Sequence, residues 1–390
     1  MRIFEPFQRF AGSEAASGIV LLASTACALA WANSPWQPAY ASLLHHSLPI
    51  GSRAMHLDLT VHQWINDFLM ALFFLLVGLE IKRELLAGEL ASVRKAALPI
   101  AAAIGGMVVP ALLYAALNDG GVGARGWGIP MATDIAFALG IAALLGPRVP
   151  VSLKVFLAAV AIVDDIGAVL VIAIFYTASI AWAYLAAVAA VALVLVLINR
   201  AGVQHPAPYL LFGIALWVAM LSSGIHATIA GVLLALTIPA RAPGSGRSLL
   251  ETLEHALSKP IAFVVVPLFA LANAGVRVGG ATASGISSTV LAGVVIGLVL
   301  GKPLGISLAS WLAVRSRFAV LPDGVSWRML RGVSWLGGIG FTMSLFVGAL
   351  AFADEALLDS AKIGVLLASC VAAFMGWLML REHPSREKSS

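Results

Sequence analysis

Charged residues are scarce in this chain. They make up 11% of its 390 residues, against about 25% in a typical soluble domain. Cysteine is scarcer still: Cys27 and Cys370 both lie in apolar runs and give no support for a disulfide framework or for a metal site. Hydrophobic residues account for 61% of the chain, and the mean hydropathy is +0.97. The composition therefore indicates a polytopic membrane protein, with residues 1–390 forming one membrane domain.

Apolar runs long enough to cross a bilayer, which takes about 20 residues, recur along the whole chain. We therefore predict an all-α fold of about twelve transmembrane helices, and this even number places both termini on one face. The predicted spans cover residues 12–32, 59–81, 96–117, 126–145, 152–176, 180–199, 207–221, 223–239, 257–275, 288–313, 327–351 and 357–380.

Lysine and arginine in the connecting loops predict the orientation. With the N-terminus inside, 19 of the 24 basic residues fall in inside loops, 4 fall in outside loops, and Lys302 lies within a span. Basic residues are enriched on the cytoplasmic side of membrane proteins, so both termini are predicted to be cytoplasmic. The same excess explains the net charge of +5, and no nucleic-acid partner is expected.

Two loops carry local signals. The first outside loop, about 33–58, contains a hairpin turn signal at residues 48–53. A strand pair there can join edge to edge with a second copy of the chain, and a plain loop is the alternative. The inside loop that follows residue 239 contains a predicted interfacial helix from Ser248 to Leu257, whose wet side carries Glu251, Glu254 and His255.

Asp164 and Asp165 lie side by side in an apolar run from about Val155 to Tyr176. A carboxylate at membrane depth costs at least about 2.5 kcal/mol, so it needs a reason to be there. Neighbours in a helix project about 100° apart, and the two carboxylates therefore face different surroundings. The pair indicates a cation or proton site inside a transport protein. Burial by hydrogen bonds for helix packing alone is the alternative.

Two predicted spans are interrupted near their centres. Pro130 and Thr133-Asp134 interrupt the fourth, and Gly337-Gly338-Ile339-Gly340 interrupts the eleventh. These spans hold corresponding places in two halves of the chain, about 96–176 and 288–380. This organisation is typical of inverted repeats with broken helices at a binding site.

Asp134 and Lys302 are the other charges predicted within the membrane. Broken helices present positive partial charge at N-termini and negative partial charge at C-termini. A buried carboxylate neutralises the first and a buried ammonium the second, and Asp134 and Lys302 suit these roles. Carboxylates, the Thr133 hydroxyl and unwound carbonyls also suit a small hard cation. The alternative for Lys302 is snorkelling to an interface.

Several polar residues are candidates for a response to pH. Histidine side chains titrate in the physiological range, which draws attention to His226 and His255, although a structural histidine is the alternative for each. Asp67 and Glu80 lie nearer the two ends of the second span.

Six motifs occur along the chain, each once, in a distinctive order. They are Trp64-Ile65-Asn66-Asp67, Phe73-Phe74-Leu75-Leu76-Val77-Gly78-Leu79-Glu80-Ile81-Lys82-Arg83-Glu84, Ala132-Thr133-Asp134-Ile135-Ala136-Phe137-Ala138-Leu139-Gly140, Asp164-Asp165, Gly301-Lys302-Pro303-Leu304-Gly305 and Gly338-Ile339-Gly340-Phe341-Thr342-Met343-Ser344. From about residue 10 to 380 the chain resembles bacterial sodium/proton antiporters of the NhaA type. That family is itself a known example of inverted repeats, so the repeat organisation is not independent support.

The resemblance implies roles for individual residues. Asp164 and Asp165 would bind the cation and the protons, with Thr133 assisting. Asp134 and Lys302 would compensate charge where the fourth and eleventh helices cross, and Lys302 is also a candidate partner of Asp164 and a candidate proton carrier. Residues tied to pH response are Glu80, Arg83, Glu254, His255 and His226, and accessory positions are Asp67, Gly338 and Gly340.

The implied function is electrogenic exchange of cytoplasmic Na⁺ or Li⁺ for external H⁺, at two protons per cation and activated at alkaline pH. The implied location is the bacterial inner membrane, where lipid surrounds the protein. No cofactor is expected, and a homodimer is implied through the outer loop at about 44–58. A proton-coupled carrier of another solute on the same fold is the main alternative. An intramembrane aspartyl protease is disfavoured because adjacent aspartates on one helix cannot face each other. A channel is the third alternative.

Overall fold

The structure of the protein is a computed structural model, and it describes residues 14–49, 58–177, 180–241, 246–277 and 287–381. Fourteen α-helices, three 3₁₀ helices and one short strand pair make up the regular structure of these residues. The prediction of an all-α polytopic membrane protein is confirmed. Both chain termini lie outside the described residues, so their orientation stays a prediction.

The elements follow each other along the chain with short connections. The first part contains α1 Glu14–Ala32, α2 Gln37–His45, β1 Ser47–Pro49, β2 Asp58–Thr60, α3 Val61–Ala87, α4 Val93–Leu117, α5 Ile135–Leu144, α6 Val151–Phe175 and α7 Trp182–Arg200. The second part contains α8 Pro206–Ser223, α9 Ile229–Thr237, α10 Leu249–Asn273, α11 Ser288–Arg315, α12 Trp327–Gly337, α13 Phe341–Ala351 and α14 Glu355–Arg381. Single π-helical turns interrupt three of these helices, at Trp64–Leu69, Ile261–Val265 and Gly297–Gly301.

Nine helical segments of the described chain are long and apolar enough to cross a bilayer, and up to eleven spans result if each of two bent pairs counts as one. The bent pairs are α1 with α2, at 113°, and α12 with α13, at 43°. The predicted eighth span is only α9, whose nine residues are too short to cross alone. The count of twelve is therefore not confirmed.

The described part of the outer loop 33–58 contains a helix that was not predicted, α2. One local prediction is wrong. The helix predicted from Ser248 to Leu257 is not a separate interfacial element, because it is the first part of α10 and continues through the π-helical turn Ile261–Val265. Its leucine face is buried, which holds it in line with the rest of the helix, and consists of Leu249, Leu250 and Leu253.

The predicted strand pair is present. Strands β1 and β2 are antiparallel, with Ser47 opposite Thr60 and Pro49 opposite Asp58. The remainder of the predicted turn lies in residues 50–57, outside the described part of the chain. Pairing of this hairpin with a second copy stays a prediction.

The chain divides into two compact units. The first contains Met1–Ala23, Glu89–Ala168 and Val276–Ser390, and the second contains Ser24–Gly88 and Val169–Gly275. The buried charges predicted at mid-membrane all belong to the first unit. There α4 and α11 approach so closely that a Cβ atom at Gly305 would lie 2.1 Å from the carbonyl oxygen of Gly105. This contact places Lys302, one turn before Gly305, within the core of the unit.

Candidate ion-binding site

The fourth predicted span is broken where the sequence indicates. A 3₁₀ helix, Ala124–Met131, ends at an extended segment, and α5 begins at Ile135. Ala132 has a ψ angle of 150° and Asp134 a ψ angle of 97°, both outside the helical range. The backbone groups of Thr133 and its neighbours are therefore not committed to a helix.

The eleventh predicted span is broken in the same way. Helix α12 ends at Gly337 and α13 begins at Phe341. The glycines between them allow close packing, because a Cβ atom at Gly338 would lie 2.5 Å from the carbonyl oxygen of Leu298. The prediction of two discontinuous helices is confirmed.

The carboxylate of Asp134 joins the two breaks. Its Oδ1 accepts a hydrogen bond from the backbone N–H of Phe137 at 3.0 Å, in the first turn of α5. Its Oδ2 accepts from the backbone N–H of Thr342 at 3.1 Å and from the Thr342 hydroxyl at 2.5 Å, in the first turn of α13. The Asp134 backbone N–H also donates to the carbonyl oxygen of Ile339 at 2.7 Å. One buried carboxylate thus caps the positive ends of two helices.

The ammonium of Lys302 lies at the opposite kind of helix end. Its Nζ donates to the carbonyl oxygen of Met131, the last residue of the 3₁₀ helix, and to Oδ2 of Asp164 at 2.6 Å. Both side chains of this ion pair are 0% exposed. Snorkelling of Lys302 to an interface is therefore excluded, and its charge faces both a C-terminal carbonyl and an anion.

Asp164 has one satisfied and one unsatisfied oxygen. Oδ2 accepts from Lys302 and from the Thr133 hydroxyl at 2.7 Å. The same hydroxyl lies 2.9 Å from the carbonyl oxygen of Gly337, and its single proton serves one acceptor at a time. Oδ1 is buried and accepts no hydrogen bond from the residues that the structure describes. A buried acceptor without a donor is costly, and a coordinated cation would satisfy it.

Asp165 is buried beside this group and is 2% exposed. The structure therefore brings Thr133, Asp134, Asp164, Asp165 and Lys302 together in one unit, although they are spread over 170 positions of the chain. Hydroxyl and carboxylate oxygens are the ligands that small hard cations prefer. The arrangement can hold a monovalent cation or protons in exchange for one another.

Asp134→Ala is expected to lower the free energy of unfolding by about 1–4 kcal/mol, because each lost N-cap costs about 0.5–2 kcal/mol. Asp134→Asn is expected to cost less, since its amide oxygen still accepts a hydrogen bond. Asp354→Ala is a matched control, because exposed Asp354 caps one helix only, through Leu357. Denaturant unfolding in detergent measures all three, and equal losses for the two alanine variants would contradict the double cap.

The predicted pH-response residues are only partly brought together. In the second unit, Nε of Arg83 lies 3.1 Å from each carboxylate oxygen of Glu254. A cavity of about 420 Å³ adjoins this pair and is lined by Glu80, Arg83, Arg247, Glu251, Glu254, His255 and Ser258. His226 is not in this group, and its Nε2 lies 2.9 Å from the carbonyl oxygen of Tyr176. The functional roles of these residues stay predictions.

Sequence reasoning missed several residues of these two groups. Thr342 and Ser344 belong to the last of the six motifs, but the sequence assigns no role to either; Ser344 donates to the carbonyl oxygen of Ile129 at 2.7 Å. Hydroxyl residues in the first turn after a glycine break are the signal that points to them. Arg247 and Ser258 were missed at the cavity. Ser258 follows Glu254 by four residues, a spacing that places both on one face of α10, whereas Arg247 precedes the helix.

Asp67 lies in the π-helical turn Trp64–Leu69, and its backbone carbonyl accepts a hydrogen bond from Nε1 of Trp217 at 3.1 Å. It belongs to the second unit, whereas Gly338 and Gly340 lie at the break before α13 in the first. The accessory residues therefore do not form one site within either unit.

Buried charges at two discontinuous helices within a polytopic fold define a class of protein, the secondary transporters. A family model described as Na+/H+ antiporter 1 matches residues 8–380. The chain belongs to this family, which confirms the resemblance seen in its motifs.

Curated relatives named "Na(+)/H(+) antiporter NhaA" match nearly the whole chain. The protein of Oleidesulfovibrio alaskensis is 49% identical and the match covers 97% of this chain and 94% of the relative. The protein of Bordetella parapertussis is 52% identical, and the match covers 97% of this chain and 96% of the relative. The protein of Albidiferax ferrireducens is 53% identical, and the match covers 95% of this chain and 96% of the relative. These relatives are cation/proton antiporters, which are transporters and not enzymes.

Proposed function

We propose that this protein exchanges cytoplasmic Na⁺ or Li⁺ for external H⁺ across the bacterial inner membrane, moving two protons per cation. Family membership and about 50% identity to named Na⁺/H⁺ antiporters support Na⁺/H⁺ exchange. The observation that carries the site assignment is the buried Oδ1 of Asp164, which no donor of the described chain satisfies.

The exchange works by competition for the same oxygens. Na⁺ binds the ionised carboxylates of Asp164 and Asp165, with the Thr133 hydroxyl as a further oxygen ligand. Two protons displace it: one neutralises Asp165, and the Asp164–Lys302 pair, which holds one proton fewer while Na⁺ is bound, takes up the other as a coupled unit. Lys302, at 2.6 Å from Asp164, holds that carboxylate when no cation is bound. The site then opens to the other face with either Na⁺ or two protons bound.

Acid favours the protonated site, so exchange is expected to stop at low pH and to be active at alkaline pH. The cavity around Arg83 and Glu254 gathers five acidic or basic side chains and His255, which supports a pH-responsive role for it. We place Glu80, Arg83, Glu254, His255 and, separately, His226 in this role. Such an exchanger would serve sodium and pH homeostasis and salt tolerance.

The proposed orientation has both termini in the cytoplasm, which the excess of basic residues in inside loops supports. A homodimer through the outer hairpin is supported by β1, all three residues of which are exposed. An exposed edge strand offers unpaired backbone groups to a second copy.

The corresponding halves at 96–176 and 288–380 are proposed as inverted repeats.

Everted membrane vesicles that contain the protein test the proposed function directly. After respiration has acidified the vesicles, added Na⁺ or Li⁺ is expected to release protons and restore the fluorescence of a pH-sensitive dye. A series from acidic to alkaline pH should show the response rising with pH. Vesicles without the protein are the control. Absence of a response to both cations at every pH would refute the proposal.

Exchange is expected to depend on membrane voltage. Two protons one way and one Na⁺ the other way transfer one net charge per cycle, worth about 2.3 kcal/mol per 100 mV. A potential that is negative inside should therefore drive sodium export even without a pH gradient. Proteoliposomes with a clamped potassium potential measure this, with Na⁺ flux as readout. A rate and end point that ignore the potential would contradict two-for-one exchange, while leaving Na⁺/H⁺ exchange itself intact.

A further inference from the structure

A groove lies in the first unit between the first turns of α4 and α6. Its volume is about 460 Å³. The two helices run in the same direction, because one broken span separates them, and their N-termini therefore lie at the same membrane face. The groove follows α6 from Val151 to Ala159, about 12 Å at 1.5 Å per residue. It is unrelated to the ion site and does not depend on the proposed exchange.

The lining of the groove changes from charged to apolar along its length. Its charged lining residues are Glu89, Arg94, Lys95 and Asp323. Its apolar lining residues include Leu98, Pro99, Val155, Phe156, Ala159 and Leu321. The first turn of a 25-residue span lies at the level of the lipid headgroups, and the following turns lie in hydrocarbon. The groove thus matches an amphiphile in polarity and in depth.

Charges of both signs meet at the headgroup end. Arg94 and Lys95 lie in the first turn of α4, and its N-cap Ser92 makes no side-chain capping bond. This end of α4 therefore has a positive partial charge that no acidic residue of its first turn offsets. Nζ of Lys95 lies 3.4 Å from Oε1 of Glu89, an exposed ion pair that a lipid headgroup would exchange for its own two charges, and Asp323 adds a second carboxylate. Such a lining suits a headgroup with a phosphate and a cation, and suits a purely anionic headgroup less well.

A loop closes the third side of the groove. The Ser152 hydroxyl donates to the backbone carbonyl of Asp323 at 3.0 Å, which ties the loop before α12 to the start of α6. Val151 and Val320, which line the groove, are 76% and 66% exposed. The apolar wall of the groove is therefore open to lipid at the membrane face, beside its charged end.

We propose that this groove binds one phospholipid whose headgroup carries a phosphate and a primary ammonium, as in phosphatidylethanolamine. The phosphate lies at Arg94, Lys95 and the N-terminus of α4, as anions do at helix N-termini. The ammonium donates to Glu89 and Asp323, and an acyl chain follows Val155 and Ala159. A quaternary headgroup such as choline lacks the N–H donors for these carboxylates.

Purified protein in mild detergent is titrated with phosphatidylethanolamine, phosphatidylglycerol or phosphatidylcholine of equal chain length. Native mass spectrometry measures retention of a single lipid, and the shift in melting temperature measures stabilisation. Phosphatidylethanolamine is expected to bind about fivefold more tightly than the other two lipids, as one extra ion pair would provide. Equal or tighter binding of phosphatidylglycerol would overturn the proposal. Displacement by inorganic phosphate alone would identify a free-anion site and would also overturn it.

Variants separate the two halves of the headgroup site. Arg94→Ala with Lys95→Ala is expected to weaken all three lipids, whereas Glu89→Gln with Asp323→Asn should make phosphatidylglycerol the preferred lipid. Arg315→Ala removes an exposed cation outside the groove and should change nothing. Val155→Trp fills the groove from a partly exposed position and should lower retention of every lipid, independently of charge. Unchanged selectivity in the Glu89/Asp323 variant, or unchanged retention in Val155→Trp, would contradict the proposal.

Discussion

Asp164→Asn and Asp165→Asn are each expected to reduce cation-driven proton release to the background level. An asparagine amide neither carries the negative charge that attracts Na⁺ nor binds and releases a proton. In a site that is 0% and 2% exposed at these residues, water does not replace the missing charge. Dye fluorescence in everted vesicles measures the loss, with equal amounts of each variant in the membrane.

The two variants are expected to differ in stability. Asp165→Asn leaves the Asp164–Lys302 ion pair intact and should melt near the unaltered protein. Asp164→Asn leaves the Lys302 ammonium without its anion and should melt lower. Asp354→Asn, at an exposed helix end, is the control for exchange. Full exchange by either site variant would remove that residue from the proposed site.

Lys302→Ala is expected to lower the free energy of unfolding by about 3–5 kcal/mol, the usual cost of removing one partner of a buried ion pair. The change leaves the Asp164 carboxylate and the Met131 carbonyl without their common donor. Lys259→Ala, at an exposed position, is the matched control and should cost little. Unfolding in detergent, followed by tryptophan fluorescence, measures both.

A second substitution distinguishes the ion pair from simple loss of packing. Lys302→Ala combined with Asp164→Asn should be more stable than Lys302→Ala alone, because the buried carboxylate is then neutral. A double variant no more stable than the single one would assign the effect to the cavity left by the lysine side chain. Unchanged stability of Lys302→Ala itself would show that charge compensation is not its role.

Much of the site was predictable because its signals are local. A carboxylate within an apolar run is visible without any tertiary information, since its cost does not depend on its partner. Pro130 and the glycines at 337, 338 and 340 likewise mark breaks wherever the rest of the chain lies. For these reasons the broken spans were predicted correctly and the residues that the structure brings together were singled out.

The missed features depend on contacts distant in the chain. Thr342 binds a carboxylate 208 positions away, and no local pattern indicates that pairing. Helix α10 continues past Pro260, and its leucine face is buried in its own unit. The loop-like composition before residue 249 gives no sign of this burial. Helix α2 lies within the predicted outer loop, because its nine residues are too few and too weakly apolar to indicate a span.

The π-helical turn at Gly297–Gly301 directly precedes Lys302. A turn of this kind contains about one residue more than an α-helical turn, so it is equivalent to a single-codon insertion in the span. Each added residue rotates everything downstream by about 100° around the helix axis. The direction of the Lys302 ammonium is therefore set by how many residues precede it as well as by its identity. With the π-helical turn kept, a deletion of one codon earlier in α11 would leave the hydrophobicity of the span unchanged and turn the ammonium away from Asp164.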